Sequence, residues 1–315
     1  MRDKWTNTVE IEGYVFNIGG NGKLYEGITK PDSKRPNTEY ISGTLNIATD
    51  EDGINIVPVR FNFVTEKWAS GKDNDTWKVL REVIDTNKTW EHVGKDEAIK
   101  VRLQCSVGVN DFVGRDGNMV EAKSIECSFA HFANNGFGEK RNDFRVDMII
   151  AATSLQEIED GEDYLNLRGY TFNFRNEAIP LTLTVRDKGG IKYFENADIS
   201  NANPMVTTIW GKIVSTTQKV EHEIESAWGA PQVEYTTRTL RAWEVVGCSP
   251  EPMEWDDEST ITLAEFKKCL QNRETQKAEA KARQTERQNQ NNTGFPASGS
   301  ENKTSSPTSI ADFKF

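Results

Sequence analysis

Residues 99–107 read IKVRLQCSV, a run in which apolar and polar side chains alternate. A period of two is typical of a β-strand that buries one face. The apolar side of this run carries Ile99, Val101, Leu103, Cys105 and Val107. A similar run over residues 125–129 follows the turn-forming sequence GRDGN at residues 114–118. Together the two runs predict a pair of strands joined by a turn.

Three more strands and one helix are predicted on the N-terminal side of this pair. Residues 8–18, 40–48 and 57–63 alternate in the same way, and residues 19–37 between the first two runs are rich in turn formers. The third run is predicted to direct Val57, Val59, Phe61 and Phe63 inward. Between Asp75 and Thr86 the apolar residues recur at helical spacing, with Asp75 as the expected N-cap.

The same order of elements returns in residues 144–248. Strand-like runs cover residues 144–150, 164–174 and 179–185, and two more cover residues 205–215 and 235–246. Residues 191–199 occupy the helix position, although their helical period is weak. A repeated order of three strands, a helix and two strands predicts two tandem copies of one five-stranded barrel in an all-β protein. We place the first copy at residues 1–140 and the second at residues 141–250.

The remainder of the chain has a different character. Thr262-Leu263-Ala264-Glu265 is a capping box, and it predicts a polar helix that runs to about Arg287. We interpret residues 251–290 as this helix and a linker. Residues 291–315 are predicted to be a disordered tail, because a stretch rich in Asn, Ser, Thr, Gly and Pro cannot bury a core. The last six residues, IADFKF, bring aromatic and apolar side chains back at the end of this polar tract.

Composition limits the classes of function. The sequence contains no run of eighteen apolar residues and no recognisable signal peptide, so we expect an intracellular protein that does not enter a membrane. Four scattered cysteines and three histidines suggest neither a disulfide framework nor a metal site, and no cofactor is expected. A net charge of -11 means that any surface for nucleic acid must be local and must use stacking as well as charge.

No catalytic motif is found. Gly19-Gly20-Asn21-Gly22-Lys23 lacks the spacing of a phosphate-binding loop and is interpreted as a hairpin loop, and neither GxSxG nor HExxH occurs. We therefore expect a protein that is not an enzyme.

Five strands with a helix before the fourth, followed by a polar linker and an aromatic C-terminus, resemble the single-stranded-DNA-binding proteins of bacteria and their phages. The resemblance implies oligonucleotide-binding (OB) folds and binding of single-stranded DNA in replication or recombination. Two barrels in an acidic chain look more like a phage or mobile-element member. The tip departs from the bacterial pattern, because Asp312 is its only acid and Lys314 is penultimate. The resemblance implies that this tip recruits replication or recombination proteins through Ile310, Asp312, Phe313 and Phe315.

The residues expected to bind DNA project outward from the strands of each barrel. An OB barrel presents its second and third strands to the ligand, and outward parity adds residues of the first and fourth strands. The predicted set is Tyr14, Phe16, Tyr40, Thr44, Asn46, Arg60, Asn62, Lys100 and Arg102 in the first barrel, and Arg168, Tyr170, Arg186, Trp210 and Lys212 in the second.

Other interpretations of the same residues stay open. The aromatic side chains would equally suit barrel ends or an interface between the barrels, which applies above all to Phe172 and Phe174. The main alternative function is a structural or adaptor protein, such as a virion component, that uses its barrels to contact protein. A strand-annealing mediator is a third hypothesis, and the oligomeric state, including a homo-oligomer, is left open.

Overall fold

The computed structural model describes residues 5–114, 117–139, 141–158, 162–224, 232–255 and 261–292, without the side chains of residues 217–239, 284 and 287–292. The first half contains β1 (Asn7–Ile18), β2 (Tyr25–Ile28), β3 (Glu39–Ala48), β4 (Ile56–Val64), α1 (Asp75–Thr86), α2 (Trp90–Val93), β5 (Lys100–Val113) and β6 (Met119–Phe132). The second half contains β7 (Asn142–Gln156), β8 (Tyr164–Phe172), β9 (Ala178–Val185), α3 (Lys188–Glu195), β10 (Met205–Ile224), β11 (Gln232–Cys248) and α4 (Leu263–Asn292). The prediction of a mostly β protein with few helices is confirmed.

The strand pairings form two circuits with the same connectivity. In the first circuit β1 pairs with β3 and β5, β3 with β4, and β5 with β6, while β4 and β6 pair in parallel. In the second circuit β7 pairs with β8 and β10, β8 with β9, and β10 with β11. The strands β9 and β11 are the parallel pair. The helices α1 and α3 precede the fourth strand of their circuits. This Greek-key order is OB-like.

Apolar side chains fill the inside of both circuits. Phe61, Leu80 and Leu103 are fully buried in the first, and Met148 and Leu183 are fully buried in the second. These residues belong to one continuous core, which the alternation of apolar and polar positions directs inward from each strand.

The N-cap of α1 lies one residue earlier than predicted. The Asn74 side chain, and not that of Asp75, accepts a hydrogen bond from the backbone N–H of Thr76. The Asn74 amide also donates to the carbonyl oxygen of Thr65, so an asparagine bonds both the helix and the end of β4, whereas an ionised carboxylate could not donate.

Two expectations for the region between β1 and α1 are wrong. Residues 19–37 contain the short strand β2, which pairs with the edge of β3. Phe63 points outward because of a bulge in β4. Gly43 lies opposite Phe61 and Ile41 lies opposite Val64, so β4 has one more residue than β3 over this stretch. Such a bulge reverses the parity of the residues beyond it. As a result Val64 is buried and Phe63 is exposed.

The two circuits are held against each other at several points. Residues of β1 pair with β7 in an antiparallel ladder from Asn7 to Ile11. The Asn7 amide donates to the carbonyl oxygens of Val107 and Phe172, one in each circuit. Asn55 in the first circuit donates to the carbonyl oxygen of Ile213 and accepts from the N–H of Ser215, both on β10.

The polar helix is part of the folded structure and not simply a linker. Thr262 and Glu265 exchange the hydrogen bonds of the predicted capping box. Phe266 is buried beside Phe172 and Trp5 in a second apolar cluster. Hydrophobic sequence pattern did not indicate this docking, because few apolar residues of α4 take part. No helix in the described part of the chain is long and apolar enough to cross a membrane.

Candidate nucleic-acid interface

Three aromatic side chains form a connected, exposed group on β2, β3 and the end of β4, here called the aromatic cluster. The ring centroids of Tyr25 and Tyr40 are 5.9 Å apart, and those of Tyr40 and Phe63 are 4.8 Å apart. Tyr25 is 60% exposed, Phe63 is 42% exposed, and Tyr40 between them is partly exposed. Aromatic rings that reach solvent in this way present π-faces on which other flat groups can stack.

The backbone explains why these rings meet. Gly27 pairs with Tyr40 across β2 and β3, and a Cβ atom at Gly27 would come within 2.7 Å of both tyrosine rings. Phe63 has a φ of 49°, a left-handed conformation that a phenylalanine adopts only where the surroundings enforce it. The bulge supplies that enforcement and turns the ring toward Tyr40. The hydrogen bond between the Tyr25 and Tyr40 hydroxyls raises the pKa of Tyr40.

Polar and cationic groups surround the aromatic cluster. The predicted residues Tyr40, Thr44, Asn46, Arg60 and Asn62 all lie on the outer face of β3 and β4, and Thr44 and Arg60 are direct cross-strand partners. The loop around β2 adds four exposed cations that the sequence analysis missed: Lys23, Lys30, Lys34 and Arg35. The acids of this region are Asp32, the exposed Glu39 at the start of β3, and Glu26, which is paired with Arg81. This part of an acidic protein is therefore locally basic.

Four other predicted residues lie away from the aromatic cluster, on β1 and β5. Lys100 lies over the ring of Tyr14, and Arg102 pairs with Glu12 at 2.7 Å. Tyr14 is only 6% exposed, so the prediction that it faces solvent is wrong. The rings of Trp90 and Phe137 cover it at 5.3 and 5.0 Å. Trp90 begins α2, a helix that the sequence pattern did not predict, and it also contacts Phe16.

The predicted residues of the second circuit divide into two groups. Arg168, Tyr170 and Arg186 lie on β8 and at the end of β9, but Phe266 of α4 contacts the Tyr170 ring at 5.6 Å. Trp210 and Lys212 lie on β10 beside β7, where Arg145 stacks on Trp210 and Asp143 pairs with Lys212. Of the two phenylalanines left open, Phe172 is buried and Phe174 is exposed.

Two cavities lie where the circuits meet. One, here called the cleft, has a volume of about 710 Å³ and lies between β4 and β6 on one side and β8 to β11 on the other. The second has about 840 Å³ and includes Asn62, Phe63 and the side of α4. Val107 lines both cavities. Among the described residues, no three His, Cys, Asp or Glu side chains are arranged to hold a metal ion.

Glu51 is the centre of an ion-pair network beside the buried Tyr14. Its carboxylate lies 2.7 Å from Lys95 Nζ and 2.7 Å from Arg141 Nη1, and it accepts a hydrogen bond from the Tyr14 hydroxyl. Hydrogen bonds from Lys95 and Arg141 lower the pKa of Glu51 to about 2.

This shift predicts an acid-sensitive contribution to stability. A carboxyl group whose pKa is lower in the folded state than in the unfolded state stabilises the protein at pH values above its ordinary pKa of 4.5. This contribution is lost as the pH falls toward 2. We expect the urea midpoint to fall less between about pH 7 and about pH 3 in a Glu51→Gln variant than in the wild type. The exposed Glu97, changed to Gln, is the control and should retain the wild-type profile. Equal pH dependence of all three proteins would contradict the prediction.

The fold and the interface together define a β protein of OB-like connectivity with an exposed aromatic and cationic face. The chain matches the model of the YorF family over residues 6–284, and it therefore belongs to the YorF family. No curated protein matches it. Among solved structures, it is similar to a deletion mutant, which also carries a point substitution, of the single-stranded DNA binding protein from Thermus aquaticus. That match has 12% identity and a TM-score of 0.46, and it covers 81% of this chain and 98% of the other.

Proposed function

We propose that this protein binds single-stranded DNA with little sequence preference, as a non-catalytic component of replication or recombination. The observation that carries the proposal is the aromatic cluster, in which three adjoining rings reach solvent on one face. Stacking of an unpaired base on an aromatic side chain contributes roughly 1–3 kcal/mol, and every base has a π-face. Three rings would therefore hold successive bases without reading their identity.

The groups around the rings suit a single strand. Arg60 and the cations of the β2 loop can contact phosphates, while Thr44 and Asn62 can bond sugar or base edges. The number of cations is modest, which agrees with a binding mode based on stacking. A duplex keeps its bases stacked on each other, so its bases cannot lie against the cluster.

The position of the cluster supports the same proposal. We propose that each strand circuit is a five-stranded barrel and that the two stand in tandem over residues 1–140 and 141–250. In an OB barrel the second and third strands and the loop between the first two strands bind the oligonucleotide. In the first circuit these are β3, β4 and the segment that contains β2.

The remaining parts of the proposal rest on the sequence. Ile310, Asp312, Phe313 and Phe315 lie outside the described residues, and we propose that this tip docks replication or recombination proteins, as terminal carboxylates and aromatic rings often do. A cytoplasmic protein of phage or mobile-element origin, acting without a cofactor, fits the same resemblance.

Titration of a fluorescent dT oligonucleotide tests the function directly. We expect binding at micromolar or lower protein concentration in low salt, with weaker binding to a duplex of equal length. A parallel titration with rU distinguishes DNA from RNA preference. If the full-length protein shows no binding to dT at micromolar concentration in low salt, the proposal fails.

One observation favours the alternative of an adaptor that contacts protein. Trp68, in the loop after β4, and Phe129, on β6, form a second exposed aromatic pair with ring centroids 5.6 Å apart. An exposed aromatic patch of this kind is also typical of protein interfaces. Under this alternative dT does not bind, and the aromatic cluster is a contact for protein.

A further inference from the structure

The cleft between the two circuits differs in charge from the rest of the protein. Its lining includes three cations, Lys123 on β6, Arg186 after β9 and Arg241 on β11, and it includes no Asp or Glu among the residues that line it. The chain as a whole has a net charge of -11. Because Glu244 outside this lining pairs with Arg186, Lys123 and Arg241 are the two cations that make the cleft locally positive, and its volume of about 710 Å³ is that of a ligand pocket.

The cations differ in how they are held. Arg186 is fixed by Glu244, with its Nε 2.8 Å from a carboxylate oxygen, and its guanidinium lies 5.2 Å from the centre of the Tyr164 ring. Lys123 and Arg241 form no ion pair with any residue that the structure describes. Desolvation by the surrounding protein lowers the pKa of Lys123, although solvent still reaches its side chain. An anion in the cleft would offset this cost.

Flat and apolar surfaces accompany the charge. Tyr164 and Trp243 line the cleft together with Pro58 and the exposed side chain of Leu240. The amide of Asn166 and the hydroxyl of Thr182 add hydrogen-bonding groups on β8 and β9. A ligand with a flat polar ring and an attached phosphate matches this combination.

The cleft is continuous with the face that carries the aromatic cluster. Along β4, the outward residues are Pro58 in the cleft wall, then Arg60, then Asn62 beside Phe63. At about 3.3 Å per residue, Pro58 and Asn62 are only about 13 Å apart. Arg60 therefore lies between the aromatic cluster and the cleft. From there it can contact the phosphates of a DNA strand that passes from one to the other.

We propose that the cleft is a second nucleotide subsite, which receives a base and phosphate of the strand that also stacks on the aromatic cluster. This inference rests on the proposed function and deepens it, because a single DNA strand would cross β4 and contact both circuits. Lys123 and Arg241 bind phosphate, and the base lies against Tyr164 and its apolar neighbours. An oligonucleotide too short to reach from the aromatic cluster to the cleft would use only one of the two subsites.

The test removes the two unpaired cations without changing the size of their side chains much. A Lys123→Met and Arg241→Gln double variant is titrated with a dT series of about 4 to 16 nucleotides at several salt concentrations. Each phosphate contact on a single strand contributes about 0.7 to the slope of log K against log salt. We expect the slope to become shallower by about 1.4 and the affinity for the longest oligonucleotide to fall about tenfold, with little change for the shortest.

Controls separate the two proposals. Lys192 is an exposed cation on α3, and Lys192→Met should leave slope and affinity unchanged. Unchanged urea midpoints show that the double variant is folded. If the wild type binds dT and the double variant keeps its slope and affinity, the cleft proposal is wrong and the proposed function stands. If the wild type does not bind dT at all, the function itself is wrong.

Discussion

Replacing Tyr40 and Phe63 together by alanine is expected to weaken binding of dT oligonucleotides by roughly thirtyfold or more. Each ring that stacks on a base contributes roughly 1–3 kcal/mol, and 1.4 kcal/mol corresponds to a factor of ten. Tyr40 is the central ring, since it contacts both Tyr25 and Phe63. Its loss would separate the remaining rings as well as remove one of them. Fluorescence anisotropy at fixed salt measures the effect.

The design includes a matched tyrosine outside the interface. Tyr193 lies on α3 and is also partly exposed, so Tyr193→Ala should bind dT like the wild type. The salt slope of the Tyr40 and Phe63 variant should stay close to that of the wild type, because neither ring carries charge. Wild-type affinity in a folded double variant would show that the aromatic cluster does not hold bases. The adaptor alternative would then be favoured.

Replacing Arg273 by methionine is expected to destabilise the protein by about 3 kcal/mol or more. The Arg273 side chain is only 9% exposed, and its Nη2 lies 2.8 Å from Asp111 and 3.4 Å from Glu121. Its Nη1 donates to the carbonyl oxygen of Ala178 in the second circuit. Glu121 keeps Lys277 as a partner, but Asp111 loses its ion pair, and removal of one partner from a buried pair costs about 3–5 kcal/mol. Urea-induced unfolding measures the change.

The control for Arg273 lies on the same helix. Arg283 pairs with Glu279 at 3.0 Å, but both side chains are largely exposed. Exposed pairs of this kind contribute about 0.3–0.5 kcal/mol, so Arg283→Met should have nearly wild-type stability. Through Arg273, α4 contacts β5 of the first circuit and β9 of the second. Similar urea midpoints for Arg273→Met and the wild type would mean that this contact does not stabilise the protein.

The strands and their order follow from local sequence patterns. Alternation over residues 99–107, and over the other strand runs, depends only on which face of each strand is buried, so the sequence alone determines it. The helical spacing in residues 75–86 is local in the same sense. The fold class and the repeated order of elements could therefore be predicted. Tyr40, Arg60 and Asn62 share one outer face, as the alternation predicts, because the bulge changes the parity of β4 only beyond Asn62.

The site itself depended on contacts between distant segments. A single bulge between β3 and β4 turned Phe63 from the core to the surface, and β2 brought Tyr25 to Tyr40 from a stretch that reads as turns. The docking of α2 covered Tyr14. The cleft exists only because two circuits lie side by side, and Lys123 and Arg241 meet there from positions more than a hundred residues apart. Periodicity specifies which side of a strand is buried, but only tertiary packing determines which of the exposed residues become neighbours.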